Sequence, residues 1–286
     1  MTTKLVLITG VSLDNIGFGI CKKFLAEGYD VIAVYRSSLD DDKKREDFFN
    51  ALSSKYKIIL ERANFCDRQS TLDFIERMKS HTFDVIVNCA GTLSFNGNKV
   101  KHEFFDLDYD SFNSVLQCNL TAMYAICVGL KDNIVAGGLI VNISSGAAEE
   151  GAIATMSYNA SKAAIKNLTK SLANNFGGYN GVRVNSVAPG WIPSKMADTR
   201  IVDLATTLTP VKSHGTTTDV AEAVFSFIDK PYVSGTNYEL DGGLKNNFLM
   251  YLVESLDARG VSIDKLAIEL KTLIENCRNS LDKKDE

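Results

Sequence analysis

From residue 4 onward, short apolar runs suited to buried strands alternate with segments whose apolar residues recur at helical spacing. The alternation continues without a linker, a repeat or a low-complexity stretch until the carboxyl-terminal region. Few folds accept such an order, because parallel strands need crossover connections and the crossover helices must cover both faces of one sheet. Strands are predicted at 4–9, 31–35, 57–61, 84–88, 138–143, 181–187 and 237–240. Helices are predicted from the Gly17–Gly19 pair to Gly28 and at 41–56, 67–79, 109–129 and 158–176. Right-handed crossovers then bring the carboxyl ends of the strands to one edge, where a ligand crevice belongs.

The 286 residues, 45% of them hydrophobic, are enough to bury one large core, so the pattern predicts one α/β domain with a Rossmann-type doubly wound parallel sheet. A net charge of -4 and the absence of a basic block give no footprint for nucleic acid. The chain enters a strand almost at once and has no apolar run long enough to span a bilayer, so no membrane association and a cytoplasmic location are expected. Six cysteines, at 21, 66, 89, 118, 127 and 277, form no CxxC pair and read as buried, reduced thiols. His81, His102 and His214 stand apart from one another and from the cysteines, and no metal site is expected.

The first strand leads into "ITGVSLDNIGFGI", in which six residues separate Gly10 from Gly17 before the Gly17-Phe18-Gly19 pair. Glycines between a strand and a helix let backbone approach a pyrophosphate, whose charge is favoured by the helix amino terminus. On this stretch alone, a plain turn that uses glycine for its geometry is an equal reading.

Polar constellations follow the later strands at the same edge: "NCAG" at 88–91, "NISSG" at 142–146, and "YNASK" at 158–162. Tyr158 and Lys162 are four apart on a predicted helix, so an ammonium can sit beside a phenol. Ser145, on the loop after the fifth strand, can hydrogen-bond an oxygen on which negative charge develops. Taken singly, Tyr158 is a packed aromatic, Lys162 a solvated charge, Ser145 a turn hydroxyl and Asn119 a cap or buried amide. Their order and separations argue for joint action.

With Asn119 in "LQCNLTAMY", "APGWIPS" and "SGTNYELDGG" added, the chain resembles a short-chain dehydrogenase/reductase of the ordinary, non-extended type over about residues 5–243. The resemblance implies a nicotinamide dinucleotide and a catalytic set of Asn119, Ser145, Tyr158 and Lys162. In that set Tyr158 supplies the proton, Lys162 also binds the nicotinamide ribose, and Asn119 holds a water behind the lysine. It also implies cofactor contacts from Gly10, Ser12, Gly17, Phe18 and Gly19, from Asn64 and Phe65, and from Asn88, Ala90 and Gly91. Tyr158, Lys162, Pro189, Gly190, Ile192 and Ser194 complete the cofactor set. The opening loop departs from the pattern, with six residues where the family usually has three.

The implied reaction is reversible hydride transfer to a small-molecule carbonyl, as in a ketone reductase acting on a 3-oxoacyl, keto-sugar or secondary-metabolite substrate. A divergent enoyl reductase would place its tyrosine at position 155, which is Thr155. Extended epimerases would need a larger carboxyl-terminal domain. A dinucleotide-binding regulatory or structural protein is the reading from another class, and the complete tetrad argues against it. NADP(H) is expected over NAD(H): Tyr35 stands where an acid would hold the ribose diol, and Arg36 with Ser37 can hold a 2'-phosphate. The lid region, 195–217, offers Met196, Ile201, Leu204 and Leu208 as pocket or packing residues.

Residues 1–243 are thus expected to form the dinucleotide-binding domain and 244–286 a helical extension. After Gly260, Ser262 reads as an amino-terminal cap, with Ile263, Leu266, Ala267, Leu270, Leu273, Ile274 and Cys277 as one stripe. Acidic and basic residues mix on the opposite face, which favours burial against protein over a membrane surface. The stripe packs on its own subunit or on a neighbour in the homo-oligomer, tetramer or dimer, that the resemblance implies.

Overall fold

The computed structural model describes residues 3–36, 42–52, 57–93, 109–149, 155–193, 206, 209–246, 262, 264–265, 268–269 and 271–272. Seven strands, β1 (Leu5–Thr9), β2 (Asp30–Tyr35), β3 (Ile58–Arg62), β4 (Phe83–Asn88), β5 (Ile134–Ile143), β6 (Arg183–Pro189) and β7 (Asn237–Leu240), form one sheet. Every pairing is parallel, and the order is β3-β2-β1-β4-β5-β6-β7. The helices are α1 (Ile16–Ala26), α2 (Asp42–Leu52), α3 (Arg68–Met78), α4 (Tyr109–Leu116), α5 (Ala122–Gly129), α6 (Met156–Asn180) and α7 (Thr217–Ser226).

Alternation along each strand feeds two cores. Val6, Ile8, Val31, Ala33, Val85 and Val87 point to one face, where they meet Phe24 of α1, Phe48 of α2 and Val224 of α7. Leu7, Ile32, Val34, Ile86 and Ile140 point to the other, against Phe74 of α3, Ile126 of α5 and Leu172 of α6. Strands buried on both faces need unbroken apolar sequence, which is why these read as apolar runs rather than alternating ones. Phe24, Phe48, Phe74 and Phe83 are fully buried. Each removes enough apolar surface from water to contribute about 1.5 to 3 kcal/mol.

The elements depart from the sequence-based expectation in three places that shape the crevice. First, α1 begins at Ile16 with Asn15 as its cap, so Gly17 and Gly19 lie inside its first turn rather than before it. Second, the predicted helix at 109–129 is interrupted by a π-helical turn, Gln117–Thr121, whose apolar spacing resembles that of the helices on either side. Third, α7 was not anticipated, although Thr216 and Asp219 form a reciprocal capping box at its start. The fifth strand also starts at Ile134, earlier than the predicted 138, with Gly137 in the left-handed region at φ 73°. No described helix is long and apolar enough to cross a membrane.

The strand order reverses between β1 and β4, so the loops after those two strands diverge into a crevice at the carboxyl edge. In the tail, Leu244 is buried with the core, at 4% exposure. Residues 264–265, 268–269 and 271–272 are helical, and the Ser262 hydroxyl accepts from the Lys265 amide at 3.4 Å. The predicted stripe residues Ile263, Leu266, Ala267, Leu270, Leu273, Ile274 and Cys277 lie outside the described residues, as do Ser37, Ser194, Met196, Ile201, Leu204 and Leu208.

Candidate active site

The crevice floor is the turn after β1. Gly10 has φ 73°, and a Cβ there would stand 2.5 Å from the Ala90 Cα and 2.6 Å from its nitrogen. Only glycine lets the loops after β1 and β4 close this far. Thr9 fixes the approach, its hydroxyl accepting from the Cys89 and Ala90 amides at 3.1 Å each. A Cβ on Gly17 would meet the Gly10 carbonyl at 2.6 Å, so Gly17 lets the start of α1 close on the turn after β1. Gly19 differs: its missing Cβ faces Thr217 at 2.9 Å, and its role is to let α1 pack on α7.

Asn15, which the sequence reading passed over, closes the long loop. Its Oδ1 accepts from the amides of Phe18 at 2.9 Å and Ser12 at 3.2 Å, and its Nδ2 donates to the Gly10 carbonyl at 2.9 Å. The loop is therefore folded back on the cap of α1, with Asp14 at φ 60° making the reversal. An asparagine three residues before an amide it caps is a visible signal, since it belongs to the residue types preferred at helix starts. A cleft of about 530 Å³ beside this loop is lined by Asp14, Phe18, Lys22, Pro193, His214 and Thr216, among others.

At the far end of the crevice, β2 and β3 finish side by side, with Tyr35 paired to Arg62. Arg36 is exposed, its Nη1 lies 3.9 Å from Cys66 Sγ, and its carbonyl accepts from Arg62 Nε at 3.1 Å. Two arginines thus share the edge where the sequence reading named one. Arg62 is visible in sequence only as the last residue of a strand, and its neighbour across the sheet was needed to give it meaning. Asn64 is exposed and receives the Cys66 amide on Oδ1 at 3.3 Å. Phe65 is 5% exposed and stacks edge-on against Phe74 at 5.3 Å, so its side chain belongs to the core and only its backbone borders the crevice. Three donors favour the Cys66 thiolate, the Cys118 thiol most and then the Arg36 guanidinium, and they bring its pKa down to about 6 against the opposing effect of burial. The expectation of buried, reduced thiols holds here as to reduction but not as to burial, since Cys66 is a free thiol only partly buried.

At the other end, α6 carries Tyr158 and Lys162 on one face. Lys162 is 3% exposed, donates from Nζ to the Ile143 carbonyl at 2.8 Å, and stands 5.5 Å from the Tyr158 ring centroid. Its own carbonyl accepts from the Ser144 hydroxyl at 3.1 Å, tying α6 to the end of β5. A lysine ammonium has three donors, so one bond to a carbonyl leaves others for an anionic neighbour. Ser145 accepts from the Ala147 amide at 3.2 Å, which fixes its oxygen and leaves its O–H free to donate outward.

Asn119 sits in the π-helical turn, 1% exposed. Its Nδ2 donates to the Thr92 carbonyl at 2.9 Å and to Ser161 Oγ at 3.0 Å, and its Oδ1 accepts from the Thr92 amide at 2.8 Å. The position a Cβ would take on Gly91 is 3.5 Å from both Asn119 Oδ1 and Lys162 Nζ, so these three residues converge. Asn88 turns away from the crevice, donating to Asn142 Oδ1 at 2.9 Å, and Asn142 donates on to Thr169 Oγ1 at 3.0 Å. Pro189 ends β6, and Gly190 donates to the Leu240 carbonyl at 2.9 Å. Ile192 is 5% exposed and packed in the first core, so it too offers backbone rather than side chain.

The chain's likeness to known proteins bears on this arrangement. The family described as Enoyl-(Acyl carrier protein) reductase matches residues 10–245. The acetoacetyl-CoA reductase of Cupriavidus necator is 28% identical over 253 residues, covering 85% of this chain and 99% of that protein. The 3-oxoacyl-[acyl-carrier-protein] reductase FabG of Chlamydia pneumoniae is 28% identical over 250 residues, covering 84% and 96%. Among solved structures, a short-chain dehydrogenase/reductase from Serratia marcescens superposes with a TM-score of 0.73 at 25% identity, covering 85% of this chain and 98% of that one. A blue fluorescent protein from a metagenomic library, in complex with NADPH, superposes with a TM-score of 0.72 at 27% identity, covering 84% and 97%.

Proposed function

Because the chain belongs to the short-chain dehydrogenase/reductase family, we propose that it is an NADP(H)-dependent ketone reductase acting on a 3-oxoacyl thioester or a ketone of similar shape. The observation that carries the reading is the buried Lys162 ammonium, anchored on Ile143 beside Tyr158 and opening onto Gly91 and Asn119. Gly10 and Gly17 let the turn after β1 close on the turn after β4 and on the start of α1, and backbone at such a strand-to-helix turn fits a dinucleotide pyrophosphate. Backbone at Ser12, Phe18, Ala90, Gly91, Pro189, Gly190 and Ile192, with Ser194 and the Lys162 ammonium, would hold its phosphates and nicotinamide half. Asn64, Phe65 backbone, Arg36 and Ser37 would hold its adenosine half, with Arg62 adding to the positive edge.

When bound, the dinucleotide supplies or accepts the hydride. Tyr158 Oη then gives its proton to the carbonyl oxygen as charge develops there, and Ser145 Oγ donates a hydrogen bond to the same oxygen. Lys162 Nζ stabilises the resulting phenolate at close range. Asn119 holds the Thr92 backbone and the Ser161 hydroxyl in place behind the lysine, and a water against its Oδ1 would return the proton. Position 155 carries Thr155, whose hydroxyl is bonded to Asn159 Oδ1 at 3.0 Å, so the phenol a divergent enoyl reductase would place there is missing. Relatives named for acetoacetyl-CoA, 3-oxoacyl and 3-hydroxyacyl-CoA substrates favour the thioester class.

The same reading makes the protein a cytoplasmic homo-oligomer. The assembly is supported by a groove lined by Leu120 of the π-helical turn, Tyr124 of α5, and Ala164 and Leu168 of α6, with Tyr124 46% exposed. The test of function is NADPH consumption with acetoacetyl-CoA and a set of other ketones. Tyr158→Phe should lower turnover by about 10²- to 10⁴-fold while NADPH binding persists. Full activity in that variant would remove Tyr158 from the mechanism, and tight NADPH binding with no consumption of any carbonyl would favour a regulatory dinucleotide-binding protein.

A further inference from the structure

We propose that Cys66 and Cys118 form an oxidisable dithiol at the adenosine end of the cofactor site, in which a hydroperoxide oxidises Cys66 and Cys118 closes the disulfide. The two residues are far apart in sequence and on different elements, Cys66 in the turn between β3 and α3 and Cys118 in the π-helical turn. Gln117 Nε2 reaches the Phe65 carbonyl at 3.5 Å and clasps the two turns together. Both sulfurs border the second core, and each is the largest influence on the other's ionisation. The Cys66 amide is held by Asn64 Oδ1, so the sulfur is presented by a fixed backbone.

The surroundings divide the labour between them. Cys66 is partly exposed, and Arg36 Nη1 lies 3.9 Å from its sulfur. Ser114 stands near enough to favour the same thiolate, and its buried hydroxyl has no hydrogen-bond partner among the described residues. Those donors hold Cys66 as the thiolate, the nucleophilic form. Cys118 is 8% exposed, and the neighbouring Cys66 and burial push its pKa up, so it acts second. By contrast, burial raises Cys89 and Cys127 to about 12, and Cys21 rises for the same reason.

The step balances without any group beyond the peroxide. The Cys66 thiolate attacks one peroxide oxygen, the O–O bond breaks, and the leaving hydroxide takes a proton to give water and a sulfenic acid. Cys118 then attacks the Cys66 sulfur, the S–O bond breaks, and hydroxide leaves with the Cys118 proton as a second water. Two thiols are oxidised by two electrons and the peroxide is reduced. Because Arg36 cannot serve a thiolate and a 2'-phosphate equally, NADP+ and the ionised Cys66 compete for it. That coupling rests on the NADP(H) reading, whereas the disulfide does not.

The full-length reduced protein is treated with hydrogen peroxide, free thiols are blocked, and peptides are mapped by mass spectrometry, alone and with saturating NADP+ or NAD+. Expected are a Cys66–Cys118 linked peptide in the wild type, its loss in Cys66→Ser, and a dimedone-trapped Cys66 sulfenic acid in Cys118→Ala. The wild-type map stands even where a variant folds poorly. First oxidation at another cysteine, or a Cys66 product never linked to Cys118, overturns the proposal. NADP+ should slow the cross-link at least about fivefold more than NAD+ does. Equal protection overturns the coupling and counts against Arg36 as the phosphate ligand, while the linked peptide is judged separately.

Discussion

In the proposed NADP(H) reading, cofactor choice turns on Arg36, a cation at the end of β2 with Arg62 beside it across the sheet. A charge-assisted hydrogen bond to phosphate is worth about 1.5 to 3 kcal/mol. Arg36→Ala should therefore weaken NADPH binding by about tenfold or more and leave NADH binding within about twofold, as read by fluorescence titration. Equal affinities for both dinucleotides, unmoved by the substitution, would remove the NADP(H) reading. At this scale the sequence is most informative where partners are local. Tyr158 and Lys162 share a helical face by their spacing alone, and Gly10 announces a close approach by its place after a strand. Phe65 and Ile192 were named as contacts from their positions in motifs, yet both side chains are buried in the cores. Motif position says which backbone borders a site and does not say where a side chain points. Arg62 and the Cys66–Cys118 pair were illegible for a simpler reason: their meaning depends on residues distant in the chain.

Among the elements, the loop from Gly10 to Gly17 is held by one residue. Losing an asparagine cap costs about 1 kcal/mol, and Asn15 also carries the bonds to Ser12 and Gly10. Asn15→Ala should lower stability by about 1 to 2 kcal/mol in urea denaturation. Steady-state kinetics should show a raised KM for NADPH with kcat less affected, since the cradle loosens while Tyr158 and Lys162 stay on α6. An unchanged KM would mean that the loop keeps its shape without Asn15. The order of strands and helices was legible from the pattern, because strands buried on both faces and crossover helices leave strong signals. Helix boundaries were less so. α6 runs past Phe176 to Asn180 and stops only where Gly181 turns left-handed at φ 67°, since Gly177 and Gly178 weaken a helix without ending one.

For the whole molecule, the region after the last strand bears on assembly. Leu244 is buried with the core, so a cut that tests the tail belongs after Asn246 rather than after Gly243. If the tail's apolar stripe is covered by a neighbouring subunit, the chain ending at Asn246 should show a lower mass by light scattering and a lower melting temperature. Identical behaviour of the two chains would make the tail dispensable for assembly. The sheet itself has its chemistry at one edge only, and the π-helical turn between α4 and α5 is part of that edge. A wide turn of this kind holds an extra residue without changing the phase of the helices on either side. Removing one residue within 117–121 would let the segment run as an ordinary helix, with Met123, Ile126 and Cys127 still facing the core. Removing one from the start of α5 would instead rotate the remainder of that helix by about 100°. The chain can therefore shed the placement of Asn119 without shedding its fold, and a lineage could gain or lose that placement by the length of its chain rather than by its lettering.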